Sequence, residues 1–573
     1  MAGGSRTSRR RLILLAIVAV LGVWALGAAI VGWSAYRHAQ EGTRRLEALE
    51  ESLSEAQLLR GGGVKRLEAA LREFELAHEA SRSPFLMPLR ALPVFGRQVQ
   101  SFDNQSGATV AVLRAGITGL DRIDREVPVG SGIPPSERSD VLRTVHDVAG
   151  DLHGALADAD LGPSNGLVSP LSRTRDRLSD ELEEISSGVA RAEAASGGLA
   201  GLFAGDGRYL VLISNNAEMR AGFGTILRIG ELVVDDGSIR LEELRSAGAP
   251  LDEAVEADAD LTANWAWLEP AQRFQNLGVT PRFDVVAPAA ARIWEAEGGA
   301  AVDGVIALDV AAIRAVLAAT GPVSVDGREV SADTVEEEIF VRQYDEPDQQ
   351  EEFLGELARA TIEALDGGNW ELATLADELR HAATGRHVLA WSARPSQQRA
   401  WEAAGIAGEV GDDSLLVSVI NLGGNKLDQF LDVRSSIVVE DLDDDWLVTV
   451  KLRLRNATPE ADLAQEIVGP FEGTSFEPGE YAGVVTANVP GSATDVGMEG
   501  GDLLIVNGED GDTRVVGSWV QTLPGETEAL RIQFRLPGDV RRLVVEPSAR
   551  IPPVEWRAGR DRWVDEGRRT LRW

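Results

Sequence analysis

The feature that most constrains this chain is an uncharged stretch of 25 residues, Leu12 to Tyr36. A helix of that length is long enough to cross a bilayer. A basic cluster precedes the stretch and favours a cytoplasmic N-terminus: Arg6, Arg9, Arg10 and Arg11. We therefore predict a cytoplasmic tail (1–11), a signal anchor that forms one transmembrane helix (12–36), and a chain that is otherwise extracytoplasmic at the cell membrane. A cleaved signal peptide is the alternative, but its apolar region would be shorter and no Ala-x-Ala site follows.

The length and composition of the chain limit its number of domains, its classes of ligand and its chemistry. The 573 residues suffice for two to four domains, and 44% hydrophobic content allows sizeable cores. The chain is acidic, with a net charge of −35 from 56 basic and 91 acidic residues. Such a surface repels polyanions, so we expect no nucleic-acid partner. Cysteine is absent, which excludes disulfides, thiolate metal sites and cysteine nucleophiles.

Residues 37–200 carry helical patterns and are predicted to form a helical stalk or bundle. Leu46, Leu49 and Leu53 recur at helical spacing, and a similar pattern follows the glycine turn 61–63. Two helices that pack as a hairpin are the natural interpretation. A dimerising coiled coil is the alternative, although each arm holds only two heptads.

Residues 203–430 alternate strand and helix signals, which predicts an α/β core with a mixed sheet covered by helices. A buried strand at Tyr209–Ile213 is followed by a polar segment, a glycine turn (222–224) and a second strand. Asp235-Asp236-Gly237 then predicts a hairpin. Residues 431–550 change to short alternating strands with Gly, Pro and Asp turns, typical of a β-sandwich. Residues 551–573 are predicted to be a C-terminal tail.

The segment Asn215-Asn-Ala-Glu-Met-Arg220, after a strand and before a Gly-rich turn, resembles an uncharacterised bacterial envelope family, domain of unknown function 4012. Two further segments are similar: DGVIALD (303–309) with a TGPV turn, and NLGGNKLD (421–428). This chain has Arg-Ala-Gly-Phe-Gly where the family more often has Arg-Pro-Thr-Gly-Gly-Phe. The resemblance implies a single-pass envelope protein with no established activity, and its members look like neighbours of cell-surface polysaccharide genes.

A fainter resemblance is to the LytR-CpsA-Psr phosphotransferases, which are single-pass and extracytoplasmic and transfer lipid-linked glycopolymers. It rests on the strand, helix and Gly-Pro-Val turn around 303–323. It implies arginines that bind pyrophosphate and aspartates that hold a divalent metal such as Mg²⁺. The residues that could serve are Arg220, Arg228, Arg282, Asp303 and Asp309.

The candidate binding site begins with the polar residues after the first strand: Asn215, Asn216, Glu218 and Arg220. These could bind sugar hydroxyls or phosphate, or they could pair internally and cap turns. Lys426 and Asp428 also follow an apolar strand and could join them, or could belong only to a turn. No HExxH, GxSxG, Walker or dinucleotide-binding motif occurs, so standard hydrolase and nucleotide-binding mechanisms have no support.

Two functions follow as hypotheses. The first is a non-catalytic component that binds or scaffolds envelope polysaccharide assembly or export, with the membrane and an envelope glycopolymer or its assembly proteins as partners. The second is a metal-dependent phosphotransferase, which alone would need Mg²⁺ as cofactor. The enzyme requires at least two arginines and two aspartates in one cleft, whereas the scaffold allows them to be scattered or paired with each other.

Overall fold

The structure, a computed structural model, describes residues 5–50, 63–127, 132–344, 350–370, 372–460, 462–470 and 475–573. The chain forms two compact units. One comprises Met1–Pro128 and Val141–Ser196, and the other comprises Val129–Asp140 and Gly197–Trp573. The predicted turn 61–63 falls mostly outside the described residues, as do positions 1–4 of the predicted tail.

All the regular secondary structure in the described part of the first unit is helical. Its helices, two of which continue into the second unit, are α1 (Ser5–Glu50), α2 (Val64–Ser81), α3 (Met87–Arg90), α4 (Pro93–Glu126), α5 (Pro135–Ala157) and α6 (Ser169–Phe203). Helix α2 buries Ala70, Phe74, Ala77 and Ser81, one face at helical spacing. The Phe74 ring lies against Gly42 of α1, so these two helices form the predicted hairpin.

The predicted membrane segment 12–36 is helical and lies within α1. The side chains of residues 5–22 are outside the described part of the chain. A search of the described residues finds no helix with the length and hydropathy of a membrane span.

The second unit begins with a mixed five-stranded sheet in the order β3-β2-β1-β4-β7. Its strands are β1 (Gly207–Met219), β2 (Gly224–Asp235), β3 (Ser238–Ser246), β4 (Gly304–Leu308) and β7 (Val388–Ser392). Strands β1 and β4 are parallel, and the other pairs are antiparallel. The Asp236-Gly237 turn has positive φ at both residues, the geometry of a type I′ hairpin.

Both faces of this sheet are covered, which explains the unbroken apolar run in β1. Successive side chains of a strand point to opposite faces. Tyr209, Val211 and Ile213 join a core with helix residues such as Ile313 and Leu317. Leu210 and Leu212 enter the opposite core with Val286 and Ile293. A short hairpin, β5 (Val323–Val325) and β6 (Arg328–Val330), belongs to the same α/β domain. The α-helices in its described residues are α7 (Ala259–Trp265), α8 (Phe283–Ala296), α9 (Val310–Thr320), α10 (Val335–Phe340), α11 (Gln350–Asp366), α12 (Leu372–Thr384) and α13 (Pro395–Ala404).

The remaining strands form a sandwich of two six-stranded sheets, with orders β12-β15-β10-β9-β17-β18 and β13-β14-β11-β8-β16-β19. Valine and leucine side chains from both sheets share one core. The elements are β8 (Ser414–Asn421), β9 (Leu431–Asp441), β10 (Asp445–Asn456), α14 (Gln465–Val468), β11 (Tyr481–Pro490), β12 (Thr494–Glu499), β13 (Leu503–Asp510), β14 (Thr513–Thr522), β15 (Thr527–Pro537), β16 (Arg542–Val545), β17 (Glu555–Ala558), β18 (Asp561–Val564) and β19 (Arg569–Arg572).

The sandwich is longer than the predicted range 431–550. Strand β8, which the alternation of signals placed in the α/β core, pairs with β11 and β16 of the sandwich. The predicted tail 551–573 supplies β17, β18 and β19, which add to both sheets. The predicted boundary at residue 430 assigned these residues to the wrong domain, because pairing between distant strands leaves no short-range signal.

Candidate functional site

The carboxyl end of β1 meets the sandwich through a set of buried polar side chains, here called the junction cluster. Its members are Asn216, Glu218, Arg220, Asp309, His387, Asn421, Lys426, Asp428, Tyr481 and Arg550. The parallel arrangement of β1 and β4 brings Asn216 and Asp309 to the same edge of the sheet. A 3₁₀ turn, Leu427–Phe430, brings Asp428 from the sandwich side. Two domains therefore contribute to one polar region.

Glu218 is held between two cations. Its carboxylate lies 3.3 Å from Lys426 Nζ and 3.5 Å from Arg220 Nη2, and its side chain is only 13% exposed. Burial alone would raise the pKa of Glu218, but Lys426 and Arg220 together hold it below its ordinary value. Burial would likewise lower the pKa of Lys426, and Glu218 raises it. Both groups are therefore charged at neutral pH.

Arg220 and Lys426 have further partners within the protein. Arg220 Nη1 donates to the carbonyl oxygens of Met219 at 3.1 Å and Asn421 at 2.8 Å. Lys426 Nζ lies 5.6 Å from the centroid of the Tyr344 ring, close enough for a cation–π contact. These cations face protein groups on several sides.

Asp428 is the most enclosed carboxylate of the cluster. Its Oδ1 accepts from Arg550 Nη1 at 2.9 Å and from the Tyr481 hydroxyl at 3.2 Å. Its Oδ2 accepts from the Met219 N–H at 2.9 Å and from Asn421 Nδ2 at 2.8 Å. Both Asp428 and Arg550 have side chains with no exposure. Burial raises the pKa of Asp428, and Arg550 acts in the opposite direction.

Asn216 and Asp309 form a second branch of the cluster. Asn216 Nδ2 donates at 2.8 Å to Asp309 Oδ2 and also to the Ala549 carbonyl of the sandwich. Asp309 Oδ1 caps α9 by accepting from the N–H groups of Ala311 and Ala312. His387 Nδ1 lies 2.6 Å from Asp309 Oδ2. Burial would lower the pKa of His387, but the Asp309 carboxylate raises it above its ordinary value.

The other predicted site residues lie elsewhere or have local roles. Asn215 is buried, and its Oδ1 accepts from the Ala217 N–H. Arg228 lies in β2 opposite Ile213 and also has an interaction partner within the protein. Arg282 precedes α8 and faces a ring of acids: Asp258, Asp260, Asp284 and Asp510.

Asp303 lies at the opposite end of β4 from Asp309. It accepts from the Arg208 N–H at 3.0 Å and from Arg394 Nη2 at 2.8 Å. Since β4 is five residues long and a strand rises about 3.3 Å per residue, the two aspartates are separated by roughly the length of the strand. No single cleft can hold both carboxylates.

Sequence reasoning missed three members of the junction cluster: His387, Tyr481 and Arg550. Each lies far along the chain from the Asn-Asn-Ala-Glu-Met-Arg segment, and none belongs to a recognisable motif. His387 comes directly before β7 and Tyr481 is the first residue of β11, and these positions are usable signals because strand ends meet at sheet edges. Arg550 follows β16 in an irregular segment that gives no such signal.

Residues 204–344 match a family model described as "Protein of unknown function (DUF4012)". Over these residues the chain is similar to DUF4012. The predicted family resemblance is thereby confirmed. No match was found among curated proteins or among solved structures. The similarity to LytR-CpsA-Psr enzymes is not shown by these comparisons and stays a prediction.

The DUF4012 match covers β1 to β4 but neither β7 nor the sandwich. The matched region thus supplies Asn216, Glu218, Arg220 and Asp309, and residues outside the match supply at least one further partner of each. Within the part of the chain that the structure describes, no group of three or more His, Asp or Glu side chains is placed to hold a metal ion. A groove of about 540 Å³ lies on the same domain beside Arg245 and Glu297, and none of the predicted site residues lines it.

Proposed function

We propose that this protein is a membrane-tethered, non-catalytic component that binds or scaffolds the assembly or export of envelope polysaccharide. The observation that carries the non-catalytic part is the pairing of the DUF4012 strand-end charges. Glu218, Arg220 and Asp309 each have partners inside the protein. Groups that are already buried and paired inside the protein are not free to bind a substrate.

The membrane tether rests on the sequence. Residues 12–36 lack charge over a length that can cross a bilayer, and four arginines precede them. The envelope role rests on the resemblance to envelope proteins whose members look like neighbours of polysaccharide genes. An acidic extracytoplasmic body is compatible with an uncharged or cationic partner and not with a polyanion.

The phosphotransferase alternative gains no support from the geometry. It needs aspartates and arginines around one metal-bound pyrophosphate. Asp303 and Asp309 lie at opposite ends of β4, and Asp309 is already bonded to His387 and Asn216. The predicted residues therefore do not fit a Mg²⁺ site.

A pairwise charge-removal variant tests the non-catalytic role. The full-length chain with Glu218→Gln and Lys426→Met removes both charges of a buried pair and keeps the side-chain volumes similar, which is often nearly neutral for stability. We expect this variant to restore the surface glycans of a strain that lacks the protein, at wild-type protein amounts. Arg220 keeps its two backbone carbonyl partners in this variant.

The matched control is Glu218→Gln alone, which leaves the buried Lys426 and Arg220 without their carboxylate and should reduce the amount of folded protein. Loss of surface glycans in the double variant, with the protein present and folded at normal amounts, would assign these charges a role in chemistry or ligand binding. Unaltered surface glycans in the deletion strain would refute the envelope role itself.

A further inference from the structure

The helical unit contains a proline-rich segment between α2 and α4, here called the apolar turn (residues 83–96). Its sequence is Ser-Pro-Phe-Leu-Met-Pro-Leu-Arg-Ala-Leu-Pro-Val-Phe-Gly. Its large apolar side chains face outward, with exposed fractions from 44% to 65%: Phe85, Met87, Leu92, Val94 and Phe95. A water-soluble surface rarely concentrates so much apolar area in so short a segment, so this patch requires a partner.

The apolar turn lies beside the uncharged stretch of α1. Trp24 Nε1 donates to the Phe85 carbonyl at 3.0 Å, and the Phe85 ring packs so closely on Gly27 that a Cβ there would lie 2.7 Å from it. At the same level α1 exposes Val23, Leu26, Ile30 and Trp33, which recur at helical spacing on one face. Two outward apolar surfaces of one unit are thus adjacent.

The backbone of the apolar turn is largely satisfied from within. Pro84, Pro88 and Pro93 have no N–H to satisfy. The N–H groups of Leu86 and Met87 donate to the Ser83 carbonyl, and further internal bonds follow along the turn: Leu89 to Leu86, Ala91 to Pro88, Leu92 to Leu89 and Gly96 to Leu92. Backbone that enters hydrocarbon must be paired internally, because no water is present there.

A charged group in a lipid environment must be paired or must reach the headgroups, and the charged residues in and beside the apolar turn meet this condition. The turn contains one charged residue, Arg90, whose guanidinium lies 2.9 Å from Asp103 of α4. Asp103 also accepts from Ser81 and Arg82, and these partners hold its pKa below the ordinary value although burial alone would raise it. Arg82 and Arg97 flank the turn and are exposed, where they can meet lipid phosphates while apolar residues lie deeper.

We propose that the apolar turn inserts among the acyl chains of the extracytoplasmic leaflet, beside α1, as a second membrane contact. This inference rests on the proposed membrane tether. Phe85 contacts α1 at Trp24 and Gly27, nine to twelve residues before Tyr36, which is about 14–18 Å along a helix. With Tyr36 at the interface, this depth reaches about the midplane of a hydrocarbon core about 30 Å thick, so the apolar turn would extend through the extracytoplasmic leaflet. Two contacts instead of one would restrict how the helical unit tilts on the membrane.

The absence of cysteine allows a direct test on the full-length chain. Single cysteines at Met87, at Leu26 of α1 and at exposed Ser187 of α6 would carry an environment-sensitive fluorophore in phosphatidylcholine–phosphatidylglycerol vesicles. We expect spin-labelled lipid to quench the Met87→Cys and Leu26→Cys probes. We also expect quenching by aqueous iodide at Met87→Cys to be at least about fivefold weaker than at Ser187→Cys, because acyl chains exclude the anion.

The three positions separate the possible failures. A Leu26→Cys probe quenched by lipid, with a Met87→Cys probe as open to iodide as Ser187→Cys, overturns the insertion and leaves the tether intact. Absence of lipid quenching at both Leu26→Cys and Met87→Cys overturns the tether, and the insertion with it. A Met87→Cys probe shielded from both quenchers means that protein, a second copy or another partner, covers the turn, which also overturns the proposal. Val94→Cys provides an independent second position in the turn.

Discussion

The two ends of the parallel strand pair β1 and β4 carry the same residue types in different surroundings. At the amino end, Asp303 pairs with Arg394, and their side chains are 33% and 44% exposed. At the carboxyl end, Asp309 pairs with His387 and is 2% exposed. The difference comes from the sandwich, which contributes Ala549, Lys426 and Asp428 to the carboxyl end. A polar motif that looks like a binding site in the sequence can therefore be buried as part of the contact between two domains.

The first prediction concerns Asp428, the least exposed carboxylate at the carboxyl end of the strand pair. Asp428→Ala leaves Arg550 charged and without its carboxylate in a position that has no exposure. Removing one partner of a buried pair costs about 3–5 kcal/mol. We expect the free energy of unfolding of the second unit to fall by that amount, measured by urea titration with tryptophan fluorescence.

The paired variant Asp428→Leu with Arg550→Met is the control for that prediction. Since both charges are removed together, most of the lost stability should return. A double variant as unstable as Asp428→Ala would mean that the bonds to Met219 and Asn421, and not the charge pair, stabilise the junction.

The second prediction concerns a titrating group near the buried end. Burial raises the pKa of Asp565 to about 7, although the Ser548 hydroxyl and N–H both donate to its carboxylate. The folded protein therefore keeps a proton that the unfolded chain releases above its ordinary pKa of 3.8. The resulting stability is complete at acid pH and is lost as the pH rises towards and through 7. His387, whose pKa is also raised, contributes with the same sign at higher pH.

The Asp565→Asn variant should not lose this stability as the pH rises, because the side-chain amide does not titrate. Between pH 5 and pH 8 the wild-type protein should lose roughly 3 kcal/mol more unfolding free energy than the variant, since one pKa unit equals about 1.4 kcal/mol. Urea titrations at several pH values would measure the difference. Parallel pH profiles for the two proteins would show that Asp565 titrates alike in the folded and unfolded states.

The sequence predicts some parts of the fold and of the candidate site better than others. The buried strand Tyr209–Ile213 and the Asp236-Gly237 turn follow from local pattern, and both are present. The polar character of the segment around Glu218 was also evident. Its burial was not, because Lys426 lies 208 positions away and Ala549 is 333 positions from Asn216. Partners at such separations leave no periodic signal, and in DGVIALD the two aspartates look equivalent.

The third prediction has the smallest effect and compares those two aspartates directly. Both oxygens of Asp309 accept hydrogen bonds, Oδ1 from two N–H groups of α9 and Oδ2 from Asn216 and His387. In Asp309→Asn the amide NH₂ must therefore face another donor in a buried site, which costs about 2 kcal/mol.

In Asp303→Asn the lost partner, Arg394, can turn into water, so we expect a change in unfolding free energy below about 1 kcal/mol. The same urea titration measures both variants. Equal losses at the two positions would contradict the contrast between the ends of β4. The explanation would then be the hydrogen bond from the Arg208 N–H to the Asp303 carboxylate, which joins β1 to the start of β4 and would be lost if the amide NH₂ faced the Arg208 N–H.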